Sequence, residues 1–122
     1  MNYGHSFGHA IETATNYKIP HGIAITIGMD IANFVSKELK ILDSDIFYER
    51  HVALSKNFKK FNTTQIKFDL LFKALSKDKK NVGNKLKLIL PNQNGKITIG
   101  LYDKNKQLKN AIKTYLQEVR SS

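Results

Sequence analysis

From Gly22 to Leu39 the chain is almost continuously apolar, with little polarity before Asp30. A surface helix carries one apolar stripe and one polar face, so this run reads as a helix buried on most sides. Its isoleucines leave a strand open on periodicity alone. The chain has 122 residues, enough for one domain around one modest hydrophobic core.

Other elements follow from spacing. Phe7, Ala10, Ile11 and Ala14 predict a helix over 6–17, with Ser6 as its N-cap, ended by Pro20. Asp43 or Ser44 is expected to cap a third helix running through Phe58. Thr63 or Thr64 is expected to cap a fourth, with Ile66, Leu70, Leu71 and Leu75 along one side. The period then changes to two in Lys85–Pro91 and again in Lys96–Leu101, with the turn-forming Asn92-Gln93-Asn94-Gly95 between. That pattern predicts a β-hairpin, which is marginal alone and should pack on helices or another domain. A last helix is expected over 104–120, with Leu108, Ile112, Tyr115, Leu116 and Val119 on one face. The fold class expected is mainly α with a short β-hairpin.

Composition excludes several functions. An apolar fraction of 41% argues against wholesale disorder. The absence of cysteine removes disulfides, thiolate nucleophiles and thiolate zinc sites, leaving His, Asp and Glu as metal donors. No apolar run is long enough for a membrane span and no signal peptide is indicated, so a cytoplasmic location is expected. The net charge of +10 raises nucleic-acid binding as a possibility. However, only Arg50 and Arg120 among the 20 basic residues are arginine, and the lysines are scattered. Base readout and bidentate phosphate contacts favour arginine, so a solvated lysine-rich surface is the better reading.

Three of the four histidines, His5, His9 and His21, fall near the start of the chain. A helix through His5 and His9 puts both on one face about 6 Å apart, with Glu12 on the same face. His21 follows the Pro20 break, where a reversal can bring it back. Two imidazoles from separate segments plus an oxygen suit zinc or a similar divalent ion; the alternative is a set of satisfied structural histidines. His51 has no acidic cluster near it in sequence and reads as surface or core.

The string Asn2-Tyr3-Gly4-His5-Ser6-Phe7-Gly8-His9-Ala10-Ile11-Glu12 resembles the NxGHxxGHAIE signature of 3-dehydroquinate synthases and related sugar-phosphate cyclases. Pro20-His21-Gly22, Ala24, Ile27, Gly28 and Met29 continue the resemblance. Asp78-Lys79-Lys80 and Leu88-Ile89-Leu90-Pro91 extend it in the family's order. The resemblance implies the helical C-terminal domain of a dehydroquinate-synthase-like fold, one metal-binding domain over residues 1–122. It implies His5 and His21 as metal ligands and His9 beside the substrate phosphate and the proton-transfer site. Asn2 and a lysine of the DKK segment, Lys79 or Lys80, are implied as phosphate contacts. Glu12 and Gly8 read as helix packing and polar support.

The activity implied is elimination of phosphate from a seven-carbon keto-sugar phosphate with cyclisation, using NAD and a divalent metal, zinc or cobalt, in the shikimate pathway of aromatic amino acid biosynthesis. The family's nucleotide-binding domain and third metal ligand are not in these residues, and Gly4-His5-Ser6-Phe7-Gly8 is not a cofactor loop. The chain alone is therefore expected not to turn over substrate, and a separate NAD-binding domain or chain is an expected partner. Ile23 stands where the family usually carries an acidic residue. That leaves open a sister cyclase acting on another sugar phosphate, or a non-catalytic metal-binding or interaction remnant. Without a front domain, apolar surface is expected on the long second helix, and with it a homo-oligomer.

Overall fold

The computed structural model describes residues 3–62 and 64–120. Five helices and one antiparallel hairpin follow in the order α1 (His5–Ala14), α2 (His21–Glu38), α3 (Ser44–Ser55), α4 (Phe68–Ser76), β1 (Lys85–Pro91), β2 (Ile97–Asp103) and α5 (Lys106–Thr114). A 3₁₀ turn at Lys59–Phe61 links α3 to α4, and α5 widens into one π turn over Tyr115–Val119.

The apolar run is a helix, and α2 is the axis of the fold. Packing by α1, α3, β1 and α5 buries most of its length, including Ile27, Ile31, Phe34 and Val35. The apolar exposure expected on α2 is consequently absent there. Among the described residues, exposed apolar side chains instead include Ile97, Ile99 and Leu101, which share the outer face of β2. Period two puts Leu86, Leu88 and Leu90 of β1 inward against the helices, and that register turns the β2 aliphatics outward. The turn closes as expected: Asn92 Oδ1 accepts from the amides of Asn94 and Lys96 at 2.9 and 3.0 Å, and Gly95 takes φ +77°. Arg50 ties this hairpin tip to α2, donating to the Asn92 carbonyl and to Asn33 Oδ1.

Helix ends depart from the capping expectations. Gly4, not Ser6, precedes α1, and Ser6 is buried in the first turn without a capping bond. The reason is packing: a Cβ on Gly4 would lie 2.5 Å from the Ile25 carbonyl oxygen, so the glycine marks where α1 meets α2. The helix stops at Ala14, before the expected Tyr17, because Asn16 and Tyr17 take left-handed φ of 52° and 61°. Asp43 precedes α3 but makes no side-chain cap, and α3 ends at Ser55 rather than Phe58. Thr63 lies outside the described residues. Thr64 sits in the loop before α4, whose first turn follows Lys67. Its carbonyl accepts from Arg120 Nη2 at 2.6 Å instead. Ile66 is buried ahead of that helix, and Leu70 is exposed while Leu71 and Leu75 face the core. Among the described residues, α5 alone has a side-chain cap, Asn105 Oδ1 accepting from Leu108 N at 3.0 Å.

The core holds a polar triad that joins three elements. Asp30 of α2 is fully buried, and its Oδ2 accepts from His51 Nδ1 of α3 and from the Tyr115 hydroxyl, both at 2.7 Å. His51, expected to lack acidic company, therefore has a carboxylate 21 positions away in sequence. Burial raises the Asp30 pKa above the ordinary carboxylate value, with the Tyr115 and His51 hydrogen bonds working the other way. Burial, then the nearby Asp30 charge, pushes Tyr115 well above the usual tyrosine value. A raised folded-state pKa means the native state holds its proton more tightly. Stability linked to Tyr115 is thus complete below the ordinary tyrosine pKa, near 10, and is lost as pH rises above it. Urea titrations across the alkaline range should show Tyr115→Phe losing less stability than wild type over that limb.

Candidate metal and phosphate site

Glycine decides how the site is assembled. A Cβ on Gly28 would fall inside contact distance of the Gly4 carbonyl oxygen and 2.7 Å from the Gly8 amide nitrogen. A Cβ on Gly8 would stand 2.6 Å from Ile25 Cδ1. Helices α1 and α2 therefore cross backbone to backbone, and the short return through Pro20 brings the first residue of α2 beside the outer face of α1. There His5 and His9 have ring centroids 5.3 Å apart, and His21 lies 6.2 Å from His5 and 5.8 Å from His9. The structure thus gathers all three histidines singled out from the sequence.

Glu12 lies beneath them, its side chain only 9% exposed. Its Oε1 is 3.2 Å from His21 Nδ1 and 3.2 Å from His9 Nδ1. Donor atoms of His9, Glu12 and His21 all fall within 4.8 Å of one another. Imidazole donors without thiolate suit zinc, cobalt or a similar divalent ion, so the three gathered histidines fit a metal, with the Glu12 carboxylate beside them to accept from a ring nitrogen. Asn2 lies outside the described residues.

A cleft of about 410 Å³ runs from His9 and Thr13 to the segment after α4, where Lys77, Asp78 and Lys80 line it. That segment is held by its own side chains: Asp78 Oδ1 accepts from Lys80 N at 2.9 Å, and Asn81 Nδ2 donates to the Leu75 carbonyl at 2.8 Å. Of the two candidate lysines, Lys80 lines the cleft beside His9; Lys79 is exposed and is not part of its lining. Lys77 also lines it, a place that only its position beside the DKK segment hints at in sequence. Ile23 packs partly buried against the core, so its apolar character has a structural use here.

A larger cleft, about 560 Å³, lies between Asn62, residues 64–69 and the C-terminal helix. Its buried cation, Arg120, donates through Nη2 to the carbonyls of Phe61 and Thr64 and so staples that loop. Without grouped metal donors or a nucleophile and base, size alone gives it no chemistry.

A profile of the family described as 3-dehydroquinate synthase C-terminal matches residues 1–81. The chain belongs to that family. Curated relatives agree with the family match. The chain is 35% identical over 98 residues to the 3-dehydroquinate synthase of Alkaliphilus metalliredigens, covering 80% of this chain and 28% of that protein. The enzyme of Endomicrobium trichonymphae is 34% identical over 119 residues, covering 97% of this chain and 32% of the relative. The chain thus spans about a third of the length of such relatives. Among solved structures, it superposes with a TM-score of 0.73 on a crystal structure of 2-deoxy-scyllo-inosose synthase complexed with carbaglucose-6-phosphate, NAD+ and Co2+. That match has 26% sequence identity and covers 91% of this chain and 33% of the other. The fold is therefore the helical domain of dehydroquinate-synthase-like sugar-phosphate cyclases, hairpin included. No helix among the described residues is long and apolar enough to cross a membrane.

Proposed function

We propose that this domain supplies the metal- and phosphate-binding half of a cytoplasmic, NAD- and metal-dependent cyclase that eliminates phosphate from a seven-carbon keto-sugar phosphate, a 3-dehydroquinate synthase of the shikimate pathway. The supporting observation is the meeting of His5, His9 and His21 at one end of the α1–α2 pair, beside a cleft that reaches Lys80.

In this reading His5 and His21 hold zinc or cobalt, and an NAD-binding domain or chain faces the same cleft. When bound, NAD supplies a transient oxidation that acidifies a neighbouring C–H, and the metal polarises the reacting oxygen. This chain's own residues bind and move protons. Lys80 or its neighbour Lys79, together with Asn2, holds the phosphate by charge-assisted hydrogen bonds. His9 stands between α1 and the lysine segment, where an imidazole can pass a proton to or from the departing phosphate. A sister cyclase acting on another sugar phosphate is the second reading, favoured by Ile23 and by the 2-deoxy-scyllo-inosose synthase likeness.

The test is Co2+ titration of the full chain by visible absorption, with and without inorganic phosphate. Phosphate should tighten Co2+ binding, and His21→Ala should abolish the cobalt spectrum while leaving the fold intact. Metal binding indifferent to phosphate would mark a non-catalytic remnant. Polyanion binding that survives His5→Ala and His21→Ala and collapses with salt would mark the nucleic-acid reading instead.

A further inference from the structure

The geometry points to Glu12 as the positioning residue of the site: its buried carboxylate fixes the Nδ1–H tautomer of His21, presenting Nε2 of that ring to the ligand, with His9 packed against the same carboxylate oxygen. The inference rests on the functional reading above only for what that Nε2 atom then meets.

A carboxylate oxygen accepts and cannot donate, and it has lone pairs for two donors. An imidazole nitrogen hydrogen-bonded to it must therefore carry the proton. His21 Nδ1 makes that hydrogen bond to Glu12 Oε1 at 3.2 Å, and His9 Nδ1 lies at 3.2 Å from the same oxygen. Nε2 sits on the far edge of each ring, and both side chains are more than half exposed, at 59% for His21 and 60% for His9. The carboxylate is thus under the rings, and the free lone pair of His21 is on its outer side. Neutral imidazole in water prefers the opposite tautomer, with the proton on Nε2, which would leave nothing for a metal on the outer face. A partner on the second nitrogen that sets ring and tautomer is the usual companion of a metal-bound histidine.

Glu12 has little freedom to do otherwise. It sits in the last turns of α1, its own carbonyl accepts from Tyr17 N at 2.8 Å, and α2 begins directly above it. At His21 the exposed lone pair is then a metal donor, while His9, 3.2 Å from the same carboxylate oxygen, lines the lysine cleft. This explains why a carboxylate is buried under exposed histidines, an arrangement that helix packing alone does not require.

The experiment is long-range ¹H–¹⁵N NMR of the histidine rings in the metal-free full chain, above the ordinary histidine titration range, combined with Co2+ titration. Wild type is expected to show His21 protonated at Nδ1. Glu12→Leu keeps volume and helix preference but removes the acceptor. It should return His21 to the Nε2–H form and weaken Co2+ binding by about 10–100-fold. Glu12→Gln restores an acceptor oxygen without charge; it should recover part of the Nδ1–H form and leave the cobalt bands at their wild-type positions. Wild-type His21 protonated at Nε2 would overturn the inference, as would an unchanged tautomer in Glu12→Leu. Shifted cobalt bands in Glu12→Gln would also overturn it, because they would make Glu12 a ligand. If Glu12→Leu does not fold, the wild-type and Glu12→Gln spectra still decide. The tautomers are read without metal or phosphate, so absence of Co2+–phosphate coupling would count against the proposed function and leave this inference standing.

Discussion

Gly28→Ala should destabilise the domain by about 3 kcal/mol or more, measured by urea unfolding, because the added methyl has no space to enter. Its neighbours would be the Gly4 carbonyl oxygen and the Gly8 amide nitrogen, both backbone atoms that cannot swing aside as a side-chain tip can. Helix α1 would have to move off α2. Since His5 and His9 ride on α1 and His21 on α2, the same substitution should weaken apparent Co2+ binding in proportion to the loss of folded protein. Gly22→Ala is the control. Nothing lies within 4 Å of a Cβ there, so the change should be neutral or stabilise by about 0.5–1 kcal/mol, as alanine for glycine does in a helix. Equal effects at the two glycines would mean that the helices do not cross as closely as described.

Asp30→Ala is the other large expected loss, about 2–6 kcal/mol, because two buried donors lose their acceptor at about 1–3 kcal/mol each. It leaves the His51 ring and the Tyr115 hydroxyl without their shared acceptor, both inside the core, and opens a cavity in the middle of α2. Asp30→Asn should cost much less. Its amide oxygen can still accept from Tyr115, and its NH2 can donate to His51 once that ring changes tautomer. The pH dependence separates these effects. Since burial raises the Asp30 pKa, its contribution is greatest below the ordinary carboxylate value and is lost as pH rises through the higher folded-state value. Asparagine cannot titrate, so that slope should vanish in Asp30→Asn. A penalty under about 1 kcal/mol for Asp30→Ala would show that the triad does not hold α2, α3 and the C-terminal turn together.

The sequence by itself determined which elements exist and much of what the site contains. Helical spacing marked α1 and the final helix, the apolar run marked α2, and the switch to period two around Asn92–Gly95 marked the hairpin. These signals are local: period and turn chemistry act within a few residues. The signature around His5, His9 and His21 likewise named the three imidazoles that the fold gathers. Helix ends were less legible. Ser6 and Asp43 are good caps in isolation, yet tertiary packing placed Ser6 inside α1 and left Asp43 without a capping bond.

Only the tertiary structure decided the rest, because each remaining feature depends on atoms far apart in the chain. Gly4, Gly8 and Gly28 acquire their meaning from a helix crossing, which no spacing within either helix expresses. Asp30 finds His51 and Tyr115 from 21 and 85 positions away, and burial then changes its chemistry. The apolar exposure moved from α2 to Ile97, Ile99 and Leu101 because other elements bury most of α2, whereas the outer face of the two-stranded hairpin is exposed among the described residues. Glu12 is the clearest case. Its place on the histidine face was visible from i, i+3 spacing, but its hydrogen bond to His21 Nδ1 exists only once α2 returns His21 to that face.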